Sequence, residues 1–276
     1  MNYKNPGLVI EGLYRYPIKS VTGESLTKAK VLSSGFKFDR HWMIVDEKGT
    51  FMSQRKIPTM ALIHCYIKDG ELWISIPGFS EQKVAAAKDK GECKSWHQVK
   101  IWRDKVKALL VDEAIDQMLS QYLQKPCHLV VMSKEQPRQI TGPEAEGFVS
   151  FADGFPFLLI GSASLDDLNN KLENSVSMIN FRPNLVIDTS VAFEEDSWDE
   201  IQVGGVRFKN VKLCGRCILT TVDPITAKRS SDKEPLATLS RYRKMDNGEV
   251  MFGCNLIALN EGIINKDDKL EVISFK

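Results

Sequence analysis

Val206-Arg-Phe-Lys-Asn-Val-Lys-Leu213 leads directly into Cys214-Gly-Arg-Cys217, and Ile218-Leu-Thr-Thr-Val-Asp-Pro224 follows. The first segment reads as an apolar strand and Ile218 to Val222 as another, which places two cysteines and an arginine at a strand end. A thiolate needs a positive neighbour to form near neutral pH, and Arg216 is a candidate source. A structural zinc half-site is the competing reading. Zinc wants four ligands, yet no second Cys pair exists and His41, His64, His97 and His128 are isolated from one another. A redox Cys-x-x-Cys pair usually opens a helix in a βαβ unit, and the strand-like run after Cys217 argues against that setting. Taken alone, the motif favours buried structural cysteines about as much as function.

Outward from this motif the chain is rich in short strands. Leu8 to Tyr16, Ser25 to Leu32, His41 to Asp46, Ala61 to Ile67, Glu71 to Ile76 and Val99 to Val111 are β-branched or aromatic-rich. Turn sequences such as Asp46-Glu-Lys-Gly49 and Lys68-Asp-Gly70 separate them. Val111 to Leu123 has the apolar spacing of an amphipathic helix. Polar stretches at Lys83 to Lys94 and Ser133 to Gly147 predict loops, and the composition break near Lys125 predicts two modules, 5–126 and 127–276. In the second module Phe157 to Ile160 predicts a strand and Ser164 to Leu172 a helix capped by Ser164 and Asp167. Leu185 to Ile187, Glu200 to Val203, Met251 to Leu259 and Lys269 to Ile273 predict further strands, with a helix at Pro235 to Lys244. The expected fold class is therefore mixed and β-rich: an N-terminal β module, then a C-terminal β-barrel with a few helices.

Composition removes several function classes. The 276 residues carry 37 Lys plus Arg against 36 Asp plus Glu, so no bulk field drives binding to nucleic acid or anionic lipid. The longest apolar runs, such as Phe155 to Ile160, fall far short of the roughly 20 residues a transmembrane helix needs. No apolar h-region follows Met1 and the six cysteines are sparse, so an intracellular, cytoplasmic setting is expected, or an organellar one if the N-terminus was trimmed. Gly-x-Gly-x-x-Gly, Walker A, Gly-x-Ser-x-Gly and His-Glu-x-x-His are all missing, which leaves nucleotide, hydrolase and zincin readings without their usual support.

Basic residues beside apolar strands are the remaining candidates. Lys19, Ser20, Arg40 and Arg55 are phosphate-type ligands near strand ends, although most Lys and Arg in any protein are plain solvated surface. Pro183 pushes Arg182 toward extended geometry, where a planar guanidinium can meet a phosphate bidentately. More often, a single arginine in such a place staples a loop through backbone carbonyls.

Six motifs, in order, carry a resemblance: Tyr16-Pro-Ile-Lys-Ser20, Asp39-Arg-His-Trp42, Phe151-Ala-Asp-Gly-Phe-Pro156, Asn180-Phe-Arg-Pro-Asn184, Glu195-Asp-Ser-Trp-Asp199 and Cys214 to Pro224. From about Leu8 to about Ile273 the chain resembles the MOSC family, in the branch that holds mitochondrial amidoxime-reducing components and bacterial MOSC N-reductases. The resemblance implies two MOSC domains enclosing a molybdenum cofactor, a pyranopterin dithiolene with a terminal phosphate. It implies that Cys217 ligates molybdenum, a soft thiolate suiting a metal already held by sulfur, with Cys214 a structural or supporting cysteine. Lys19, Ser20, Arg40 and Arg182 match positions that hold the pterin and phosphate, with Asn184 and Arg216 beside them and Asp153 in the third motif. Relatives carry Thr-Ser where this chain has Gly154-Phe155 and Ser where it has Gly215, so backbone amides would take over there.

The implied chemistry is reduction of N-hydroxylated compounds: amidoximes, N-hydroxyguanidines, hydroxylamines and N-hydroxylated bases. Many bacterial members continue into a 2Fe-2S domain, whereas this sequence stops at Lys276 without such a cysteine cluster. Electrons are accordingly expected from a separate protein, a b-type cytochrome with its reductase or a flavin or ferredoxin reductase. The family is also associated with pyridoxal phosphate binding. A cofactor carrier without turnover, or a sulfur carrier with a persulfide on Cys217, would use the same residues.

Overall fold

A computed structural model of the protein describes residues 7–84, 96–132, 138–140 and 146–276. The loops expected at Lys83 to Lys94 and Ser133 to Gly147 lie mostly outside those residues. The β-rich class holds. An eight-stranded sheet runs in the order Glu24–Leu26, Val9–Arg15, Leu185–Asp188, Phe157–Gly161, Val250–Ala258, Val206–Arg216, Trp198–Val203 and Leu270–Phe275. The Ile10 N–H donates to Asp268 O at 2.9 Å and the Leu270 N–H to Leu8 O at 2.8 Å, which curls the last strand back toward the start of the second. Inside this curl Ile10, Leu13, Phe157, Leu159, Leu185, Phe208 and Leu256 form one apolar core.

Phe157–Gly161 is buried at every residue, as befits a central strand covered on both faces. Its parallel pairing with Leu185–Asp188 requires a crossover, and helix Ser162–Asn169 supplies it. The crossover then passes through a 3-10 turn at Met178–Phe181 and delivers Arg182 to the end of the sheet. The helix starts at Ser162 with Gly161 as its N-cap, so the cap expected at Ser164 is corrected. Ser164 is fully buried instead: its hydroxyl donates to Glu195 Oε1 at 2.7 Å and accepts from the Phe193 N–H. The same Glu195 oxygen accepts the Gly161 N–H at 3.0 Å, so a distant carboxylate meets the helix start.

The other large sheet has four strands, ordered Trp42–Asp46, Cys127–Met132, Asp104–Leu110 and Trp96–Ile101, and helix Glu113–Leu123 packs Ile115 and Leu119 against its core. The two segments exchange strands. Val9–Arg15 pairs with Leu185–Asp188, while Cys127–Met132, beyond Lys125, pairs with Trp42–Asp46 and Asp104–Leu110.

Four strand expectations change. Ala61 to Ile67 begins in the 3-10 turn Pro58–Leu62 and is a strand only from His64, and Ser25 to Leu32 divides between two sheets as Glu24–Leu26 and Lys28–Leu32. Val99 to Val111 is a hairpin, Trp96–Ile101 and Asp104–Leu110, turned at a left-handed Trp102 that no glycine or proline announces. Ile218 to Val222 is largely a 3-10 turn, Ile218–Thr221, because the Thr220 and Thr221 hydroxyls donate to the carbonyls of Cys217 and Ile218 at 3.0 and 2.8 Å. Such local bonds compete with a ladder for the same backbone. The long strand Val206–Arg216 also shifts register at Asn210/Lys212 and at Leu213/Gly215, bulges that re-aim the cysteine motif. Gly253, on the partner strand, has φ +78°, and a Cβ there would meet Ile160 Cγ1 and Leu159 O at 2.7 Å, so only glycine fits.

Candidate active site

A cavity of about 350 Å³ is lined from both halves of the chain. Lys19, Ser20, Arg40, Asp153, Gly154, Phe155, Arg182, Asn184, Gly215, Arg216 and Cys217, every site residue expected from sequence, line it. Phe51, Ser53, Arg55, Trp102, Lys212, Thr220, Glu249 and Asn255 line it too.

Behind two of its lining residues, Arg40 and Arg182, the ring of Tyr16 is fully buried between their guanidinium groups: Arg40 Cζ lies 4.4 Å and Arg182 Cζ 4.2 Å from the ring centroid. Burial pushes the Tyr16 phenol far above its ordinary range, against the opposing pull of Arg182 and Arg40. Arg40 spends its donors on the protein, Nη1 on Asp39 Oδ2 at 2.6 Å and Asn184 Oδ1 at 3.0 Å, Nη2 on the Arg182 carbonyl at 3.1 Å. Asn184 in turn donates to Tyr14 O at 3.2 Å. These two side chains therefore hold the wall in shape. Arg182 Nη1 donates to Val21 O at 2.7 Å, but its Nη2 is buried without a partner among the described residues. Burial, then Arg40, pulls the Arg182 guanidinium down to about 10, still charged at neutral pH. Ser20, Arg40 and Arg182 all have left-handed backbones, φ 61°, 45° and 56°. Each costs roughly 1–2 kcal/mol in a non-glycine residue, and such strain gathers at functional sites. The extended geometry expected of Arg182 before Pro183 is thereby corrected: Arg182 closes the 3-10 turn Met178–Phe181, its N–H donating to Ile179 O at 3.1 Å, and that closure holds it left-handed.

A second group faces this wall. Lys19 is buried and donates to Phe151 O at 2.8 Å and to Asp153 Oδ1 at 2.5 Å; the Trp102 Nε1–H donates to the same oxygen at 3.0 Å. Arg55 approaches Asp153 Oδ2 at 3.6 Å and stacks 4.3 Å from the Trp102 ring, its Nε buried and unpaired. Burial lowers the Lys19 ammonium below the ordinary lysine value, and Asp153 opposes that shift. Burial alone would raise the Asp153 carboxyl, yet Lys19, Arg55 and the Trp102 N–H hold it well below the usual carboxylate range. Its side chain is 60% exposed, but that exposure faces the cavity. A carboxyl depressed in the folded state contributes stability that is complete above its ordinary pKa near ~4 and is lost as pH falls through the folded value. Asp153→Asn is thus expected to lower the thermal midpoint at pH 7 and to flatten its fall below pH ~4. Thermal unfolding across that range measures both; an unchanged acid limb would refute the assignment.

At the other end, Arg216 Nη1 donates to Cys214 Sγ at 3.2 Å and Nη2 to Phe181 O at 2.6 Å, leaving its buried Nε without a partner among the described residues. Cys214 is thereby engaged. Cys217 precedes the 3-10 turn, is partly exposed, forms no disulfide, and its thiol makes no hydrogen bond among the described residues. No group of three or more His, Cys, Asp or Glu side chains that could hold a metal ion exists among the described residues. A Cβ at Gly154 would meet nothing within 4 Å, whereas one at Gly215 would come 3.3 Å from Glu249 Oε1.

Trp102, Lys212 and Glu249 were not legible as site residues, because each sits in a turn or strand edge whose direction depends on the tertiary fold. No signal in their neighbouring sequence marks them.

Unmet guanidinium donors in the wall and an unengaged thiol suit an anionic group bearing a sulfur-loving metal. The fold and this cavity place the protein among two-module β proteins with a cation-walled site beside one available cysteine. Residues 7–126 match the MOSC N-terminal beta barrel domain and 146–271 the MOSC domain. The chain belongs to the MOSC family. It is 31% identical to human mitochondrial amidoxime-reducing component 1 over 95% of this chain and 82% of that protein. Against human mitochondrial amidoxime reducing component 2 it is 33% identical, over 86% of this chain and 73% of that one. The crystal structure of the YuaD protein from Bacillus subtilis matches with a TM-score of 0.41 at 10% identity, covering 95% of this chain and 93% of that one. Neither the cavity nor these relatives support the association with pyridoxal phosphate. No helix among the described residues is long and apolar enough to cross a membrane.

Proposed function

We propose that this protein is a molybdenum-cofactor-dependent reductase of N-hydroxylated compounds. One observation carries the reading: the Cys217 thiol shares a cavity with Arg182 and Arg216, whose buried donors lack partners. Family membership and the names of the relatives support it. When bound, the cofactor supplies two-electron redox chemistry. Overall, an N-hydroxy compound takes up two electrons and two protons to give the amine-type product and water, the electrons coming from a separate electron-transfer protein.

Arg182 and Arg216 would supply charge and donors to the anionic pterin and phosphate, Lys19 and Ser20 would line the same cavity, and Cys217 would be the metal's thiolate. Arg40 and Asn184 act through Arg182 by fixing its backbone and ring stack. Asp153 orients Lys19. Gly154 leaves open space for close approach, and Phe155 forms an apolar wall under Lys212, whose Nζ lies 5.4 Å from its ring centroid.

The test is elemental mass spectrometry for molybdenum and zinc on protein purified from a host that makes the cofactor, followed by benzamidoxime reduction with an artificial electron donor. Near-stoichiometric molybdenum with turnover is expected. Molybdenum without turnover would point to a cofactor carrier, and zinc or no metal to a structural or persulfide role for Cys217.

A further inference from the structure

Among the described residues two acidic side chains line the cavity, and they are not equivalent. Asp153 is consumed by Lys19, Trp102 and Arg55. Glu249 makes no ion pair among the described residues. It lies in a tight turn closed by the Met245 N–H to Glu249 O at 2.8 Å and the Gly248 N–H to Met245 O at 2.9 Å. Asn247 grips it twice: Oδ1 accepts the Glu249 N–H at 2.9 Å, and Nδ2 donates to Glu249 Oε2 at 3.1 Å. One carboxylate oxygen is thus fixed, and the other, Oε1, lies against Gly215, two residues before Cys217. A Cβ at position 215 would press to 3.3 Å from that oxygen, so glycine makes the room in which the carboxylate rests.

We infer that Glu249 is a specificity-determining residue that reads the N–H groups of amidine-type substrates and products. The inference rests on the reductase reading given above. Lys19, Arg40, Arg55, Arg182 and Arg216 line the cavity, and among its described residues Glu249 is the carboxylate not engaged by a cation, so it is where a cationic ligand is attracted. An amidoxime carries an amino group beside the N–OH carbon, and its reduction yields an amidinium, a planar fork that a carboxylate accepts with two parallel hydrogen bonds. A hydroxylamine reduced to a neutral aromatic amine presents neither the fork nor the charge. Glu249 therefore favours amidoximes and N-hydroxyguanidines over neutral N-hydroxy compounds.

The test compares the wild type with Glu249→Gln, a change on an exposed turn that keeps size and one acceptor oxygen. Two quantities are read: the ratio of kcat/KM for benzamidoxime to that for phenylhydroxylamine, and the Kd of benzamidinium by calorimetry. The exposed position sets the expected effect at about threefold to fivefold in each, the upper range of an exposed charge pair. An unchanged ratio with unchanged benzamidinium affinity overturns the inference, as does an equal loss on both substrates. If wild-type protein reduces neither substrate, the reductase reading fails instead, and the benzamidinium titration still reports on Glu249 by itself.

Discussion

Replacing Cys217 by serine is expected to bring molybdenum content to background and to cut benzamidoxime turnover by more than about a thousandfold, roughly 4 kcal/mol of lost barrier reduction. A serine hydroxyl is a hard donor that stays protonated near neutral pH, whereas the proposed metal calls for a soft thiolate. The same change should leave the fold intact. Cys217 is partly exposed, and its thiol makes no hydrogen bond among the described residues, so the thermal midpoint should move by no more than a surface substitution does, within about 0.5 kcal/mol. Elemental mass spectrometry, turnover and thermal unfolding on one preparation separate these effects. Full activity in the serine variant would remove Cys217 from the site, and a collapsed midpoint would make its role structural. Cys214→Ser is the control that distinguishes the two cysteines, because Cys214 is already engaged by Arg216.

Arg182→Ala is expected to weaken cofactor retention by about a hundredfold, in line with truncating one partner of a buried charge pair. Three things disappear together: the unpaired Nη2 donor, the stack on Tyr16 at 4.2 Å, and the Nη1 bond to Val21 O. The last joins residues 161 positions apart, so stability should fall as well. Arg182→Lys decides between charge and geometry. Lysine keeps the positive charge but has no planar fork and no delocalised face to lay on the tyrosine, so it should recover only part of the retention. Pterin and molybdenum remaining after prolonged dialysis report the affinity. Unchanged retention in the alanine variant would mean that Arg182 is a loop staple, the competing role that its bond to Val21 O also serves.

Much of the site was readable because its residues lie in short, chemically distinctive runs. Tyr16 to Ser20, Asp39 to Trp42, Asn180 to Asn184 and Cys214 to Cys217 each contribute to the one cavity. What their order did not reveal is how the donors are divided. Arg40 and Arg182 look alike in sequence, yet Arg40 is spent on Asp39, Asn184 and a carbonyl while Arg182 keeps an unmet donor. That difference arises from left-handed backbones at both arginines and from a tyrosine ring wedged between them, neither of which a linear pattern encodes. Ile218 to Val222 shows the same limit in secondary structure, since β-branched propensity lost to two threonine hydroxyls bonding backwards to carbonyls.

By itself the sequence determined a β-rich chain, near-neutral overall charge that confines anion binding to a local cluster, and a single close cysteine pair beside an arginine. Those properties follow from composition and from periodicity along the strand. Tertiary structure alone decided that Val9–Arg15 and Cys127–Met132 change places between sheets, that the cavity is lined from both halves of the chain, and that Glu249 rests on Gly215. Strand exchange and cavity lining are set by pairings between residues far apart in the chain, from 81 positions for Cys127 and Asp46 to 179 for Val9 and Asp188, whose free energy comes from burial shared across the whole core and leaves no local mark.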